Sequence, residues 1–494
     1  MRRLLEIPFS RREMLRDAAC GFGGLALAGL AAQTASTERS ASTERSASTE
    51  RSANPLVARP GHFPAKAKRV IFLCMAGGPS QMDTFDYKPK LQKDHGKPMP
   101  GGIPDLQKKI GRQLQNLQGS PFKWKQHGQS GAWVSELLPN LATHVDNLCF
   151  LKGMHTDGFD HGTAILRLHT GEDKLVRPSM GSWVTYGLGT ENENLPGFVA
   201  LSPVDRAAGT RGYGSAFLPS VYQGTRIGHE TRPFSEATIR HLVNSKLPPA
   251  LQQLHLQRLA QRNIEHLRSS QDDAELEGMI ESFELAYRMQ QDVPKLLDFR
   301  DESDQTLQSY GIGEKQTDDF GRKCLMARRL VESGVRFIQV THAYKDSKTS
   351  NWDQHGFLVE GLTTNCKQVD LPIAGLLSDL KQRGLLDDTL VWWGGEFGRT
   401  PVNEGRAGGK VGRDHNPLAF THWLAGGGVK SGFSYGETDD YGYYATEDRV
   451  HMHDLHATVL HLLGLDHERL TYRYAGRDFR LTDVYGRVVK EIVA

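Results

Sequence analysis

Short, wholly apolar runs separated by helix-patterned segments are the most regular feature of this chain. A continuous apolar run of this kind is typical of a strand buried on both faces of a sheet. The runs that we interpret as strands are residues 68–75, 147–151, 195–201, 335–340, 390–393 and 418–424. Helices are predicted up to residue 170 and over residues 320–333, 371–383 and 454–464. Strands that alternate with helices in this way predict an α/β fold, with a mostly parallel sheet and helices on both faces.

A different pattern fills residues from about 235 to 310, where apolar positions recur every third or fourth residue among glutamine, glutamate and arginine. This spacing predicts amphipathic helices that form a helical insertion packed on the core. It gives no indication of chemistry. We therefore place a single folded domain at residues 65–494, with this insertion inside it.

The N-terminal residues indicate export. Residues 10–16, SRREMLR, resemble a twin-arginine motif, and a weakly apolar run rich in glycine and alanine follows at residues 18–32. We assign residues 1–33 to a twin-arginine signal peptide; the alternative is a chance Arg-Arg pair before a short helix. Repeats of ASTERS then make residues 34–64 a low-complexity linker. The expected partner is the twin-arginine export machinery, and the expected location is periplasmic or secreted.

Composition excludes several classes of protein. The 494 residues carry a net charge of only +2, so the sequence predicts no nucleic-acid partner. The run at residues 18–32 is too short and too rich in glycine to predict a stable transmembrane anchor. Five cysteines occur without a CxxC spacing, which argues against a zinc ribbon or a thioredoxin-like site. We expect Cys74 and Cys149, which lie in apolar runs, to be buried thiols.

Acids and histidines lie just beyond several predicted strands or in loops on the same rim of the sheet. They are Asp83, Asp353, His355, Glu396, Asp414 and His415, and Arg399 lies in the same glycine-rich loop as Glu396. Ligands of open α/β sheets collect outside the carboxyl ends of the strands. Carboxylates with imidazoles suit divalent zinc or manganese, and two such ions can clamp both oxygens of a displacement reaction. Each residue taken alone fits an ordinary solvated loop, so it is their recurrence at strand ends that predicts a metal centre.

Five motifs resemble the DUF1501 family, which is grouped with the alkaline phosphatase and sulfatase superfamily. They are MAGGPSQMDTFDYKP, SNWDQH, GGEFGRTP, GRDHNP and HDLHATVLHLLGLD, and the resemblance spans residues 65–494. It implies an alkaline-phosphatase-like α/β/α sandwich that holds one or two divalent ions. The implied metal ligands are Asp83 (with Asp86 as the alternate), Asp353, His355, Glu396 and His415. Phe397 stands where the superfamily has a histidine, so one ligand of the usual set is missing.

The residue type at the superfamily's nucleophile position also differs. Superfamily enzymes place a hydroxyl or formylglycine at a helix N-terminus ahead of a Thr-Gly pair, and this chain has His161 there, ahead of Thr170 and Gly171. We predict that His161 is a nucleophile or a replacement metal ligand, with a purely structural role as the alternative. Arg399 is the predicted oxyanion clamp, since a guanidinium binds phosphate or sulfate bidentately. Its alternative is a salt bridge with Glu396 or Asp414.

Two functions are compatible with these residues. The first is an exported, metal-dependent hydrolase that acts on small-molecule or glycan esters of phosphate or sulfate. The second is a non-catalytic exported binding or envelope-associated protein on the same fold, suggested by Phe397 and His161 at the two changed positions. The fold alone does not choose between them, because one fold hosts many functions.

Overall fold

A computed structural model describes residues 55–101, 116–204, 208–237, 246–269, 274–343, 352–404 and 410–494. The predicted signal peptide, and the linker up to residue 54, lie outside the described residues. The strands are β1 Arg69–Met75, β2 Trp124–His127, β3 Ala132–Ser135, β4 Leu148–His155, β5 Phe198–Leu201, β6 Thr225–Ile227, β7 Phe337–His342, β8 Thr389–Gly394, β9 Gly398–Arg399, β10 His415–Asn416, β11 Phe420–Ala425, β12 Phe433–Tyr435, β13 Glu437–Thr438, β14 Ala445–Glu447, β15 Val450–His451, β16 Tyr472–Tyr474 and β17 Arg477–Phe479. The helices are α1 Gln81–Thr84, α2 Pro89–Lys93, α3 His161–Thr170, α4 Met180–Leu188, α5 Pro249–Ser269, α6 Ala274–Leu297, α7 Asp304–Ser309, α8 Asp318–Glu332, α9 Leu358–Gln382 and α10 Met452–Leu462.

A nine-stranded sheet forms the centre of the molecule. Its strand order is β12-β4-β11-β8-β1-β7-β5-β6, and β15 also pairs with β4. Strand β11 runs antiparallel to both of its neighbours, β4 and β8. The other pairings in this sheet are parallel. The predicted mostly parallel sheet is therefore confirmed, and the direction of β11 is the feature that the apolar run at residues 418–424 did not reveal.

Helices cover both faces of this sheet. Strands β7, β8 and β11 are buried along their whole length, as the continuous apolar runs predicted. On one face Phe72 contacts the ring of His169 in α3, at 5.7 Å between ring centroids. On the other face His342 contacts Phe320 of α8, at 5.3 Å. The predicted arrangement with helices on both faces is thus confirmed.

Helix α9 is twice as long as the sequence predicts. The apolar pattern indicated a helix only over residues 371–383, whereas the helix begins at Leu358 and ends at Gln382. Two buried polar residues, Asn365 and Asp370, interrupt the pattern in its first half. The Asp370 carboxylate accepts hydrogen bonds from the backbone of Asn140 and Leu141, at 2.9 and 2.8 Å. Burial of a carboxylate that is fully hydrogen-bonded lets the helix continue through a polar stretch.

No described helix is both long enough and apolar enough to span a bilayer. The described cysteines, Cys74, Cys149, Cys324 and Cys366, are free and buried, which confirms the expectation for Cys74 and Cys149. Burial raises the pKa of Cys149 to about 12, so this thiol stays protonated.

The register of the parallel strands brings three strand ends together. Met75 at the end of β1 is level with His342 at the end of β7, and Cys74 is level with Gly394 at the end of β8. The loops that leave these ends carry the residues singled out in the sequence. The edge of the sheet formed by these carboxyl ends is therefore where the candidate site lies.

Candidate metal centre

Three imidazoles and one carboxylate converge beyond this edge of the sheet. His161, Asp353, His355 and His415 each offer a ligand atom, and these four atoms lie within 4.8 Å of one another. The Asp353 carboxylate lies 3.2 Å from Nε2 of His161, 3.0 Å from Nε2 of His355 and 3.2 Å from Nε2 of His415. The side chains are between 11% and 29% exposed, so an ion or a small ligand can reach them. We call these four residues the metal set.

Different parts of the chain supply the metal set. His161 is the first residue of α3, directly after Asp160, whose carboxylate caps the helix by accepting a hydrogen bond from the Thr163 amide. Asp353 and His355 lie in the loop between β7 and α9. His415 begins β10 and pairs there with Arg399 of β9. Only the folded sheet brings residues so far apart in sequence to one point.

In each imidazole of the metal set, Nε2 faces Asp353 and Nδ1 is held by an oxygen of the protein. Nδ1 of His161 donates to Oε1 of Glu396 at 2.7 Å, and Nδ1 of His415 donates to the backbone oxygen of Phe159 at 2.9 Å. Nδ1 of His355 contacts a carboxylate oxygen of Glu404. A carbonyl oxygen can only accept, so Nδ1 of His415 carries the hydrogen, which leaves Nε2 to offer its lone pair. Backing of this kind is typical of metal-binding histidines.

Glu396 lies behind His161 and outside the metal set. Its two carboxylate oxygens accept the Gly77 amide at 2.9 and 3.0 Å, and the residue is 1% exposed. Burial alone would raise the pKa of Glu396, but the hydrogen bond and the charge of His161 hold this pKa below its usual range. Glu396, a predicted metal ligand, thus lies next to His161 and outside the metal set, where its charge orients and supports the His161 ring.

Gly77 permits the close approach of β1 to the loop of Asp353. Its φ of +119° lies in the region that only glycine adopts readily. A Cβ atom at this position would come within 2.8 Å of the backbone nitrogens of Trp352 and Asp353. A side chain here would displace Asp353, so the metal set depends on glycine at position 77.

Arg399, the predicted oxyanion clamp, is buried and donates to protein oxygens. The residue is 1% exposed, and its Nη2 donates to Oδ1 of Asp353 at 2.6 Å and to the backbone oxygen of Gly77. Its Nε and Nη1 donate to the backbone oxygens of Gly78 and Arg413, at 2.9 and 3.2 Å. The guanidinium therefore holds Asp353 in place. Its ion-pair partner is Asp353, not the Glu396 or Asp414 that the sequence suggested.

Asp83, a predicted metal ligand, lies outside the metal set. Its carboxylate pairs with Arg413, which donates from Nε at 2.7 Å and from Nη2 at 3.2 Å, and both side chains are 0% exposed. Ser80 donates a further hydrogen bond to the same carboxylate. The alternate, Asp86, accepts from Thr438 and pairs with Lys88 at 3.1 Å. The structure does not bring either aspartate to the metal set.

The charges of the metal set are strongly coupled. Burial opposes protonation of His161 and His355, but their contacts with Asp353 and with Glu396 or Glu404 raise both pKa values to about 9. Burial lowers the pKa of His415 to about 4. Burial would raise the pKa of Asp353, but Arg399 and the three histidines hold it well below its usual range. Without a metal the site therefore holds positive charge beside an ionised carboxylate, and a divalent cation would take the place of those protons.

Phe397 forms an apolar wall of the site. Its ring packs against His415 and His161, with ring centroids 4.4 and 5.1 Å apart.

Sequence reasoning missed three further contributors to the site, namely Glu404, Arg413 and the Phe159 carbonyl. Glu404 lies beyond the GGEFGRTP motif, and a backbone carbonyl leaves no trace in a sequence.

The donors of the metal set fit a divalent metal ion. Imidazole nitrogen and carboxylate oxygen are the ligands that zinc binds in proteins, and manganese accepts the same atoms. His355, Glu404 and Asp414 form a second group with ligand atoms within 4.8 Å. It shares His355 with the metal set. Its carboxylates face Nδ1 of His355, the ring nitrogen that does not contact Asp353. We therefore interpret this second group as support for His355.

Glu404→Gln is expected to weaken metal binding by about 10- to 100-fold, because an amide backs the His355 ring less strongly than a carboxylate does. Competition with a chromogenic chelator measures this affinity. The matched control is Glu437→Gln, on the exposed side of β13. Equal metal affinity in wild type and Glu404→Gln would contradict the supporting role of Glu404.

Comparison with known proteins identifies a family. Residues 67–493 match the family described as "Protein of unknown function (DUF1501)". No curated protein matches the sequence. Similar solved structures include the lipoteichoic acid synthase LtaP from Listeria monocytogenes (10% identity, TM-score 0.35, covering 86% of this chain and 78% of that one). PsFucS1 sulfatase from Pseudoalteromonas sp. is 12% identical (TM-score 0.34; 81% and 68% covered), and a protein in the alkaline phosphatase superfamily from Vibrio parahaemolyticus is also 12% identical (TM-score 0.34; 89% and 74% covered). At these identities the comparison assigns no residue of the site.

Proposed function

Because the chain belongs to the DUF1501 family of proteins of unknown function, we propose its activity from the site itself: a metal-dependent hydrolase centred on the metal set. The observation that carries this proposal is the convergence of three backed Nε2 atoms on one carboxylate, with the four ligand atoms within 4.8 Å. Such an arrangement of buried charge is typical of a site built for a cation. Zinc and manganese are the proposed ions.

Each residue has a defined task in this proposal. His161, His355, His415 and Asp353 would hold the ion, and Glu396, Glu404 and Arg399 are positioning residues that fix the orientation of its ligands. A bound divalent ion would supply Lewis acidity, which polarises an ester oxygen and lowers the pKa of water. Phe397 packs against the rings of His415 and His161, and the Phe159 carbonyl fixes the orientation of His415.

The contacts of His161 support a ligand role over a nucleophilic one. Its Nδ1 is engaged with Glu396 at 2.7 Å, and its Nε2 faces Asp353 at 3.2 Å inside the metal set. Two hydroxyls that lie close in sequence to site residues are also engaged: Thr163 donates to Asp160, and Ser80 donates to Asp83. Hydrolysis by direct attack of water is therefore the route that we propose.

Phosphate or sulfate esters of small molecules or glycans are the proposed substrates, on the strength of the sequence motifs. The anionic oxygens of such an ester would depend mainly on the metal, since Arg399 is buried and donates to four protein oxygens. Export by the twin-arginine machinery to the periplasm or beyond is proposed from residues 10–32, which lie outside the described residues.

One observation favours a second function, a non-catalytic exported binding protein. Both predicted catalytic side chains, His161 and Arg399, are engaged with the protein in a way that serves metal binding. A protein that binds metal without turning over an ester would show the same contacts.

Metal analysis combined with a screen of phosphate, phosphonate and sulfate esters tests the proposal. We expect about one tightly held zinc or manganese ion per chain. Hydrolysis of at least one ester should stop on chelation and return when the ion is restored. A full complement of metal with no hydrolysis of any ester class would favour the binding protein. A protein that is purified folded and free of metal would overturn both functions.

A further inference from the structure

Helix α5 has the apolar pattern of a packed helix, yet it is not buried. The structure describes its side chains over residues 250–263, and none of these is buried. Leu251 and Leu254 are 41% and 43% exposed, and Arg258 and Arg262 are exposed as well. These four residues lie on one side of the helix, because positions i, i+3, i+7 and i+11 fall on the same face. We call them the α5 stripe.

The other side of α5 faces helix α6. Nε2 of Gln252, which lies opposite the α5 stripe on the helix, donates to Oε1 of Gln290 at 3.2 Å. Gln252 is near the start of α5 and Gln290 near the end of α6, so the two helices form an antiparallel hairpin. Buried Leu285, Met289 and Val293 anchor α6 on the core. The hairpin is therefore held through α6, and the α5 stripe points to solvent.

Helix α6 carries acids on one side. Glu277, Glu281 and Glu284 lie at positions i, i+4 and i+7, which share one face of a helix. Arg288 lies 3.8 Å from both Glu281 and Glu284. Burial raises the pKa of Glu281, and the charge of Glu284, whose side chain is 39% exposed, raises it further. The three glutamates, which we call the α6 stripe, thus keep a surplus of negative charge.

The two stripes are opposite in charge. Residues 250–263 of α5 include two arginines and one histidine and no acidic residue. Within one chain the α5 stripe points away from α6, so it does not neutralise the acids of its own hairpin. An anionic membrane would attract the α5 stripe but repel the α6 stripe beside it. A second copy of the chain offers each stripe its complement.

We propose that the hairpin of α5 and α6 is the interface of a symmetric dimer, in which the α5 stripe of each chain docks on the α6 stripe of a second copy. In a two-fold interface each contact occurs twice, so both pairs of stripes meet together. Helix α5 has 21 residues and is about 30 Å long, enough to cover the two turns of α6 that carry the glutamates. The partner would also cover Leu251 and Leu254. The interface shares no residue with the metal set, so it goes beyond the proposed function and its test needs no activity.

Light scattering after size-exclusion chromatography tests the proposal on the full chain. The wild type should have twice the mass of one chain. The α5 variant, Arg258→Glu/Arg262→Glu, and the α6 variant, Glu277→Lys/Glu284→Lys, each bring like charges together. Each should weaken the dimer by about tenfold or more. An equal mixture of the two variants should form the dimer again, because the acidic α5 of one then meets the basic α6 of the other while the two unchanged stripes also pair.

The matched control is Lys123→Glu/Lys125→Glu, which reverses two exposed charges at strand β2 and should stay dimeric. Circular dichroism shows whether each variant folds. Should one fail, the dissociation constant of the wild-type dimer should still rise with salt, because salt screens exposed charges. A monomeric wild type, dimeric α5 and α6 variants, a mixture that stays monomeric, or a dissociation constant independent of salt would each overturn the proposal. A monomer that binds phosphatidylglycerol vesicles through the α5 stripe would assign the stripe to a membrane and overturn it as well.

Discussion

Asp353→Ala is expected to remove stable metal binding and any hydrolytic activity with it, with a loss of metal affinity of about 100-fold or more. Two physical effects add. Asp353 is the one carboxylate of the metal set, and it contacts all three imidazoles. Its removal also leaves the Arg399 guanidinium, 1% exposed, without its carboxylate partner beside the site, where an unpaired positive charge repels a cation. Metal content per chain and ester turnover measure the result.

His161→Ala should give the same outcome through the loss of a single ligand. Asp440→Ala is the matched control, since Asp440 is 66% exposed and pairs only with Lys90 on the surface. Circular dichroism of each variant separates loss of metal from loss of fold. Wild-type metal content and turnover in both Asp353→Ala and His161→Ala would place the centre elsewhere.

Asp83→Ala is expected to destabilise the protein by about 3–5 kcal/mol, because it leaves Arg413 buried without a compensating charge. Both side chains are 0% exposed, and the pair has two hydrogen bonds, at 2.7 and 3.2 Å. The free energy of unfolding in urea, measured at fixed metal concentration, gives the effect. The double variant Asp83→Leu/Arg413→Met removes both charges and should be more stable than Asp83→Ala alone.

The surface pair of Lys90 and Asp440 provides the comparison for this effect. With side chains 50% and 66% exposed, this pair is screened by solvent, so its loss in Asp440→Ala should cost far less than the loss of the buried pair. The metal content of folded Asp83→Ala distinguishes a structural Asp83 from a metal ligand. Loss of a metal ligand would lower the metal content, whereas loss of a structural ion pair would leave it unchanged. A cost for Asp83→Ala no larger than that for Asp440→Ala would refute the structural role.

The layered fold could be predicted from the sequence because strands buried on both faces must be apolar throughout. The runs at residues 335–340 and 390–393 correspond to β7 and β8, with ends shifted by at most two residues. The antiparallel direction of β11 could not be predicted, since an apolar run reads alike in either direction. The first half of α9 was missed because Asp370 interrupts its apolar pattern. This buried carboxylate is hydrogen-bonded by backbone amides that are distant in sequence, which no local pattern reveals.

The candidate site could be predicted in part. Four of the residues that the sequence singled out, His161, Asp353, His355 and His415, come together in the metal set. Asp83 and Arg399 carry equally clear local signals, yet they face protein partners. Asp83 and Arg413 lie 330 positions apart, so no motif spacing links them. The structure places Phe397 against the rings of His161 and His415.

The sequence by itself therefore determined the alternation of the main strands and helices and the edge of the sheet at which acids and histidines collect. Both follow from local rules: apolar runs must be buried, and polar residues after parallel strands share one edge. The tertiary structure decided which carboxylate faces which cation. A buried charge must be paired, and at this edge Arg413 neutralises Asp83, while Arg399 and the three histidines share Asp353. Because these partners are set by distances in space rather than along the chain, only the fold separates the acids that would hold a metal ion from those that hold the protein together.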